Sequence, residues 1–448
     1  MFKLIKFSAI FLLLLAFMAT PLAPAYAQKK LLIRDAEIEN TIRAYGAPLF
    51  EAAGLNPRDI RIFLIKDDEL NAFVAGGQNL FLHTGLLVKS ANPEQLIGVI
   101  AHETGHIAGG HLQRLSKRLR GASNMSLVTS IVGAAATILT GRAEAGLAVL
   151  AAGAQINTQN LLRFSRTQES AADQAGLNLL ERTGQSARGM VEFLSILEGQ
   201  ELLTTNLQSP YVRTHPITRD RINNVRNFLA KSRYANKPSS PEFVRMHRRM
   251  RGKLRGFLMP PANALRAYED DKSSVESRYA RSIAYYRIPE LGKSLALIDG
   301  LIAEFPEDPY FHELKGQILF ENERGAEALG SYAKSVKLLP NSALLRYEYA
   351  YALIERNDPA LIPQALDQAR HATRLDREFI SGWQALSIAY GRKGDFGNST
   401  LAMAEIAMLR RRRGEARRLA TRAAKKLKPN SAAWLRAEDI KQATAKKK

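Results

Sequence analysis

Ala101-His102-Glu103-Thr104-Gly105-His106, preceded by the apolar run Leu96-Ile97-Gly98-Val99-Ile100, is the stretch that decides how this chain is read. On a helix, His102 and His106 stand four residues apart on one face, so their imidazoles can grip one metal ion. Glu103 then faces the ion's open side, where it can take a proton from water. HExxH is a short pattern, and its setting strengthens it. Asn92 suits an N-cap, Pro93 the first helical position, and Gln95 a capping box three residues after the cap. Two histidines and a glutamate inside an apolar helix need partners or a metal, because burying charge is costly.

The 448 residues are enough for two or three domains, and 46% of them are hydrophobic. Lys and Arg number 64 against 43 Asp and Glu, so an acidic surface or partner is expected. There is no cysteine, which excludes disulfides, Cys-based metal sites and thiol nucleophiles. Lys3 and Lys6 precede the apolar stretch from Phe7 to Met18, and Ala25-Tyr26-Ala27 ends it in a small-x-small pattern. Residues 1–27 read as a cleaved secretory signal, with an uncleaved anchor as the alternative. An exported chain without cysteine fits a bacterial periplasm, and nucleic acid is not an expected partner.

Residues 31–56 predict a helix ending near Gly54 and Pro57, and Ile60 to Ile65 a short strand. Asn71-Ala72-Phe73-Val74, Gly76-Gly77 and Asn79-Leu80-Phe81-Leu82-His83 predict a hairpin. Beside a metal-binding helix, its free edge can pair with an extended peptide; an ordinary hairpin is the alternative. The HExxH helix is expected to continue to about Gln113. A third histidine at 112 would complete HExxHxxGxxH, but that position is Leu112. On a continuing helix His111 lies about 140° around from His106 and points away, so it is rejected as a ligand.

Residues 125–157 hold two apolar halves, Met125 to Leu139 and Gly146 to Ile156, each too short to cross a bilayer. They predict a helical hairpin over the site, or lying on a membrane or partner; simple core helices are the alternative. Further on, Glu169 and Asp173 share one helical face among small residues (Ser170, Ala171, Ala172, Gly176), which permit a close helix approach. Glu169 is the best candidate for the missing carboxylate. Asp173 is placed to accept from a ligand histidine's other nitrogen. In Thr214-His215-Pro216 a loop histidine precedes a helix, suited to an oxyanion or to a metal's fourth position; a surface histidine is the alternative.

His102-Glu103-Thr104-Gly105-His106, the Glu169-to-Asp173 segment and Thr214-His215-Pro216, in this order, resemble the M48 family of zinc metallopeptidases. The resemblance covers about residues 35–230. It implies one zinc ion held by His102, His106 and Glu169, with Glu103 as general base. It implies an auxiliary acid at Asp173, a metal- or transition-state-contacting histidine at His215, and Arg219 as a helper.

From about residue 236 the composition changes. Lys237-Pro238-Ser239-Ser240-Pro241 reads as a linker, and Arg245 to Arg255 as a solvated basic helix, with contact to an acidic surface second. Phe305-Pro306 and Leu339-Pro340 are 34 residues apart, as are Gly316 and Ala350, the tetratricopeptide period. Leu338-Leu339-Pro340-Asn341-Ser342 recurs nearly verbatim as Leu427-Lys428-Pro429-Asn430-Ser431, and the unit around Asp358 to Asp376 is expanded.

The expected fold is mainly α with a small β-sheet: a gluzincin-like HExxH metallopeptidase domain, then an α-solenoid of tetratricopeptide-like repeats. The expected segments are a signal (1–27), the peptidase (28–235), a basic linker (236–274), repeats (275–440) and a basic tail (441–448). The family resemblance and the repeats together imply a periplasmic zinc endopeptidase acting on misfolded or stalled outer-membrane proteins. The repeats would dock clients or the barrel-assembly machinery, with peripheral membrane contact also open. A chaperone or adaptor with a latent zinc site, and a general periplasmic protease, are the rival readings.

Overall fold

The computed structural model describes residues 31–111, 113–114, 158–203 and 207–445. The expected signal at 1–27 and the apolar segments of 125–157 lie outside the described residues.

Leu31–Ile33 (β1), Arg61–Lys66 (β2), Ala72–Ala75 (β3) and Asn79–His83 (β4) form one sheet in the order β1-β2-β4-β3. β1 and β3 lie antiparallel to their neighbours, while β2 and β4 run parallel. The helix expected from residue 31 starts later. Leu31–Ile33 pairs with β2, and Asp35 then caps a helix over Ala36–Ala52 by accepting from the Ile38 N–H at 2.9 Å. Gly76 and Gly77 take φ of +58° and +102° between β3 and β4, which glycine adopts without Cβ strain. Ile62, Leu64, Val74, Leu80 and Leu82 face the main core, and Phe63, Phe81 and Phe73 stack in register across the other face.

The HExxH helix spans Pro93–Ala108. Asn92 accepts from the Gln95 N–H at 3.0 Å, and Gln95 reaches back to the Ala91 N–H at 2.9 Å, so the expected cap forms with its return bond one residue early. The expected continuation to Gln113 does not occur. The chain turns at Gly109 and Gly110, the latter at φ +61°, before helical backbone resumes at His111.

A 25-residue helix, Thr158–Arg182, crosses the HExxH helix at very short range. A Cβ on Gly105 would stand 2.6 Å from the Ala172 carbonyl oxygen, and one on Gly176 would stand 3.1 Å from the Ala101 backbone. Arg188–Ile196 packs on the N-terminal half in the same way, through Gly98 against Met190. These helices, Ala36–Ala52 and the inner sheet face enclose one core.

Pro241–Leu258, read as a solvated basic helix, is instead a spine between the two parts of the molecule. Its Met250 and Leu254 sit in the peptidase core, and Lys253 is 1% exposed. The acidic surface it meets belongs to its own chain. Lys253 Nζ lies 2.9 Å from Asp35, 3.2 Å from Glu313 and 3.5 Å from Glu37, and Arg249 pairs with Glu37 and Asp308. Five helix pairs follow, starting at Val275, Pro309, Ala343, Ile380 and Arg413. The first three starts keep the 34-residue period, and a 3-10 turn at Pro359–Leu361 accounts for the expanded third unit. Gly316 lies against the Tyr332 ring and Ala350 is fully buried, as close helix packing requires. The chain is therefore mainly α, a small sheet and helices followed by a tetratricopeptide-like solenoid. No helix among the described residues is long and apolar enough to cross a membrane.

Candidate metal centre

His102 and His106 project from one face of the HExxH helix. The tight crossing brings Glu169 from the second helix over them, and the short helix Pro210–Thr214 delivers His215 from above. His102 Nε2 and His106 Nε2 are 3.1 Å apart. Each is 3.3 Å from a Glu169 oxygen, and His215 Nδ1 is 3.3 Å from His102 Nε2 and 3.1 Å from Glu169 Oε2. Four donors around a tetrahedral ion with bonds of about 2.0–2.1 Å stand about 3.3 Å apart. The spacing and the two-nitrogen-plus-carboxylate chemistry fit zinc, and all four residues are buried.

The electrostatics point the same way. Burial would pull the His102 imidazolium down, but hydrogen bonds to Asp173 and Glu169 outweigh it and hold the ring up at about 10. A pair of carboxylates that draws a proton so strongly draws a metal cation by the same field. Burial likewise opposes charge on Glu169, yet His215, His102 and His106 keep its carboxyl well below the usual range.

His102 Nδ1 donates to Asp173 Oδ1 at 2.8 Å, which leaves Nε2 as the ligand atom. Asp173 is itself gripped by Arg221, from Nε at 2.6 Å and from Nη2 at 2.9 Å. Burial alone would raise the Asp173 carboxyl, but Arg221 and His102 hold it at about 2. Arg221 Nη1 also donates to the Pro216 carbonyl at 2.6 Å and lies 3.1 Å from Glu169, tying the His215 loop to the second helix. Arg219, the helper implied by resemblance, is exposed. Arg221, two residues on, occupies the place.

Glu103 is fully buried, and neither carboxylate oxygen makes a hydrogen bond of normal geometry. Burial raises its pKa, offset in part by His215, His102 and the facing Val74 backbone N–H. His215 Nε2 lies 3.5 Å from Glu103 Oε1, so this ring covers both Glu103 and the donor set. Sequence reasoning missed Tyr211, whose buried ring stacks on His215 with centroids 4.6 Å apart. It also set His111 aside on the premise of a continuing helix. The turn at Gly109-Gly110 folds His111 back, and its Nδ1 lies 2.9 Å from His106 Nδ1, the nitrogen facing away from Glu169. His111 is not among the converging donors.

The sequence of residues 35–229 matches peptidase family M48. A "Beta-barrel assembly-enhancing protease" of Yersinia pestis is 24% identical over 84% of this chain and 76% of its own length. The protein of the same name from Escherichia coli K12 is 25% identical over the same shares. Solved structures similar to this chain include yeast Tom70, 13% identical over 81% of this chain and 90% of that one with a TM-score of 0.32. Residues 35–229 are thus an M48-family peptidase domain, and the chain is a metalloendopeptidase that continues into tetratricopeptide-like repeats.

Proposed function

We propose that this chain is an exported, zinc-dependent endopeptidase of the periplasm that cuts outer-membrane proteins which stall or misfold. The repeats dock those clients or the machinery that assembles them. The observation that carries the reading is the four-donor cluster with a buried carboxylate beside it, Glu103, whose oxygens make no hydrogen bond of normal geometry. The names of the similar proteins support the client class. In this reading His102, His106 and Glu169 hold one zinc ion, whose contribution is Lewis-acid polarisation of the scissile carbonyl and of a water. Glu103 takes a proton from the attacking water and passes it to the leaving amine, and its raised pKa suits both transfers. Asp173 and Arg221 hold His102 and the His215 loop in place. His215 is the gate: it leaves the donor set to admit the substrate carbonyl.

β3 supplies the track. His83 N–H donates to the Asn71 carbonyl, so Asn71, Phe73 and Ala75 pair with β4, while Ala72 and Val74 turn their main chain to the opposite edge. Among the described residues no strand occupies that edge. The Val74 N–H there faces Glu103, so a client strand added to β3 runs past the base.

Glu103→Gln tests the reading. Purified with zinc, it should bind unfolded outer-membrane protein, retain one ion per chain and lose cleavage. Cleavage at the parent rate sinks the enzymatic assignment. Equal clearance of clients in cells by parent and variant would favour a chaperone with a latent site.

A further inference from the structure

His111 is buried, lies outside the donor cluster, and has no part in the chemistry above, yet the chain is shaped to bring it back to that cluster. The HExxH helix stops at Ala108, and Gly110 takes a left-handed φ that returns the next residue toward the helix it has just left. A Cβ on Gly109 would lie 2.4 Å from His111 Nε2, so the His111 ring occupies the space that any side chain at 109 would need. The ring ends 5% exposed, edge-on to His106 with centroids 4.9 Å apart and the two Nδ1 atoms 2.9 Å apart.

We propose that His111 is a positioning residue for the metal, fixing the tautomer of His106. Only one hydrogen fits between two Nδ1 atoms at hydrogen-bonding distance. When His106 Nδ1 holds that hydrogen and His111 accepts it, His106 Nε2 carries the free lone pair beside His102 and Glu169. With the hydrogen on His111 Nδ1, a neutral His106 carries its own hydrogen on Nε2 and cannot ligate. Asp173 does this for His102 with a carboxylate; His111 does it for His106 with a neutral acceptor, avoiding another buried negative charge beside Glu169. The Gly109-Gly110 pair is the backbone device that makes the contact possible.

The inference rests on reading His106 as a ligand, and zinc affinity tests it without recourse to activity. His111→Phe fills the space without an acceptor, whereas the amide oxygen of His111→Gln restores one. Competition with a chromophoric chelator should show zinc held about 10–100-fold more weakly by the Phe variant. The Gln variant should stay within a few-fold of the parent, with unchanged thermal unfolding of both zinc-free proteins. Parent-like affinity in the Phe variant, or equal weakening in both, overturns the proposal. Should either variant fail to fold, Gly109→Ala, which keeps the ring but displaces it, carries the same expectation of weaker binding. His106→Ala in parallel separates the two readings. Zinc affinity unaffected by His106→Ala refutes the ligand assignment, whereas a His106-dependent site indifferent to His111 refutes only this inference.

Discussion

The His102 Nδ1 atom donates to Asp173 Oδ1 at 2.8 Å, and this bond decides which nitrogen of His102 is left for a metal. Arg221 makes the arrangement durable: its guanidinium holds both Asp173 oxygens and also touches Glu169. Arg221→Ala takes from two buried carboxylates the guanidinium they share, leaving them only the neighbouring histidines, and should cost about 3–5 kcal/mol. The pH dependence has a definite sign. Asp173 is held at about 2, below its unfolded value near 3.9, so its contribution is present above pH ~4 and lost as pH falls toward 2. Without Arg221 the folded pKa rises, and acid unfolding, followed by urea titration at several pH values, should begin at higher pH. A parent-like acid limb would show that Arg221 does not hold Asp173.

His215 touches the donor set and the base together, and Tyr211 stacks on its outer face. In the proposed function a ring so placed closes the position a substrate carbonyl would take. His215→Ala should therefore raise the turnover of a short unstructured peptide several-fold at equal zinc content. Reduced turnover would instead mark His215 as a transition-state donor.

Much of this was legible because the informative residues repeat at structural periods. The histidines of HExxH and the Glu169-Asp173 pair sit on single helical faces, and small residues between them announced the tight crossing. The 34-residue spacing announced the helix pairs. What failed was long-range. Arg245 to Arg255 looks like a solvated cationic face because Asp35, Glu37, Asp308 and Glu313, which receive Arg249 and Lys253, lie far away in sequence. His111 stays out of the donor set as expected, but not for the expected reason: a helical-wheel angle presupposes a helix, and Gly109-Gly110 breaks it and folds the ring back against His106. Arg219 and Arg221 are equivalent in composition. Only the packed helix shows that the first faces solvent and the second faces Asp173.

The helix crossing makes a prediction of its own. A Cβ at Gly105 meets backbone, the Ala172 carbonyl oxygen at 2.6 Å, and backbone cannot rotate aside. Gly105→Ala should push the two helices apart, costing about 1–3 kcal/mol and moving Glu169 away from the histidines. Gly292, on a repeat helix with nothing near its Cβ position, is the control. There alanine should be neutral or stabilising by about 0.5–1 kcal/mol. Zinc titration and thermal melts of both variants check the contrast; a Gly105 variant with parent-like affinity would mean the crossing tolerates expansion.

The junction between peptidase and repeats should itself sense pH. Lys253 and Arg249 face Asp35, Glu37, Asp308 and Glu313, with Glu348 and the Tyr279 hydroxyl close by, so carboxylates outnumber cations in a buried place. Burial first, and then Asp35 and Glu37, raise Glu313 to about 7 against the pull of Lys253. An unfolded glutamate titrates near 4.3. Below that pH both states are protonated; between about 4.3 and 7 only the unfolded chain ionises, so stability falls as pH rises through this window and levels off above it. Glu313→Gln keeps an acceptor for Lys253 and removes the titration. Its melting temperature should decline less than the parent's between pH 5 and pH 8, leaving the variant the more stable protein at pH 8. Lys253→Met, which strands the carboxylates, should be destabilised at pH 8 by about 3–5 kcal/mol. Parallel melting profiles for parent and Glu313→Gln across that range would show that Glu313 is already ionised in the folded protein.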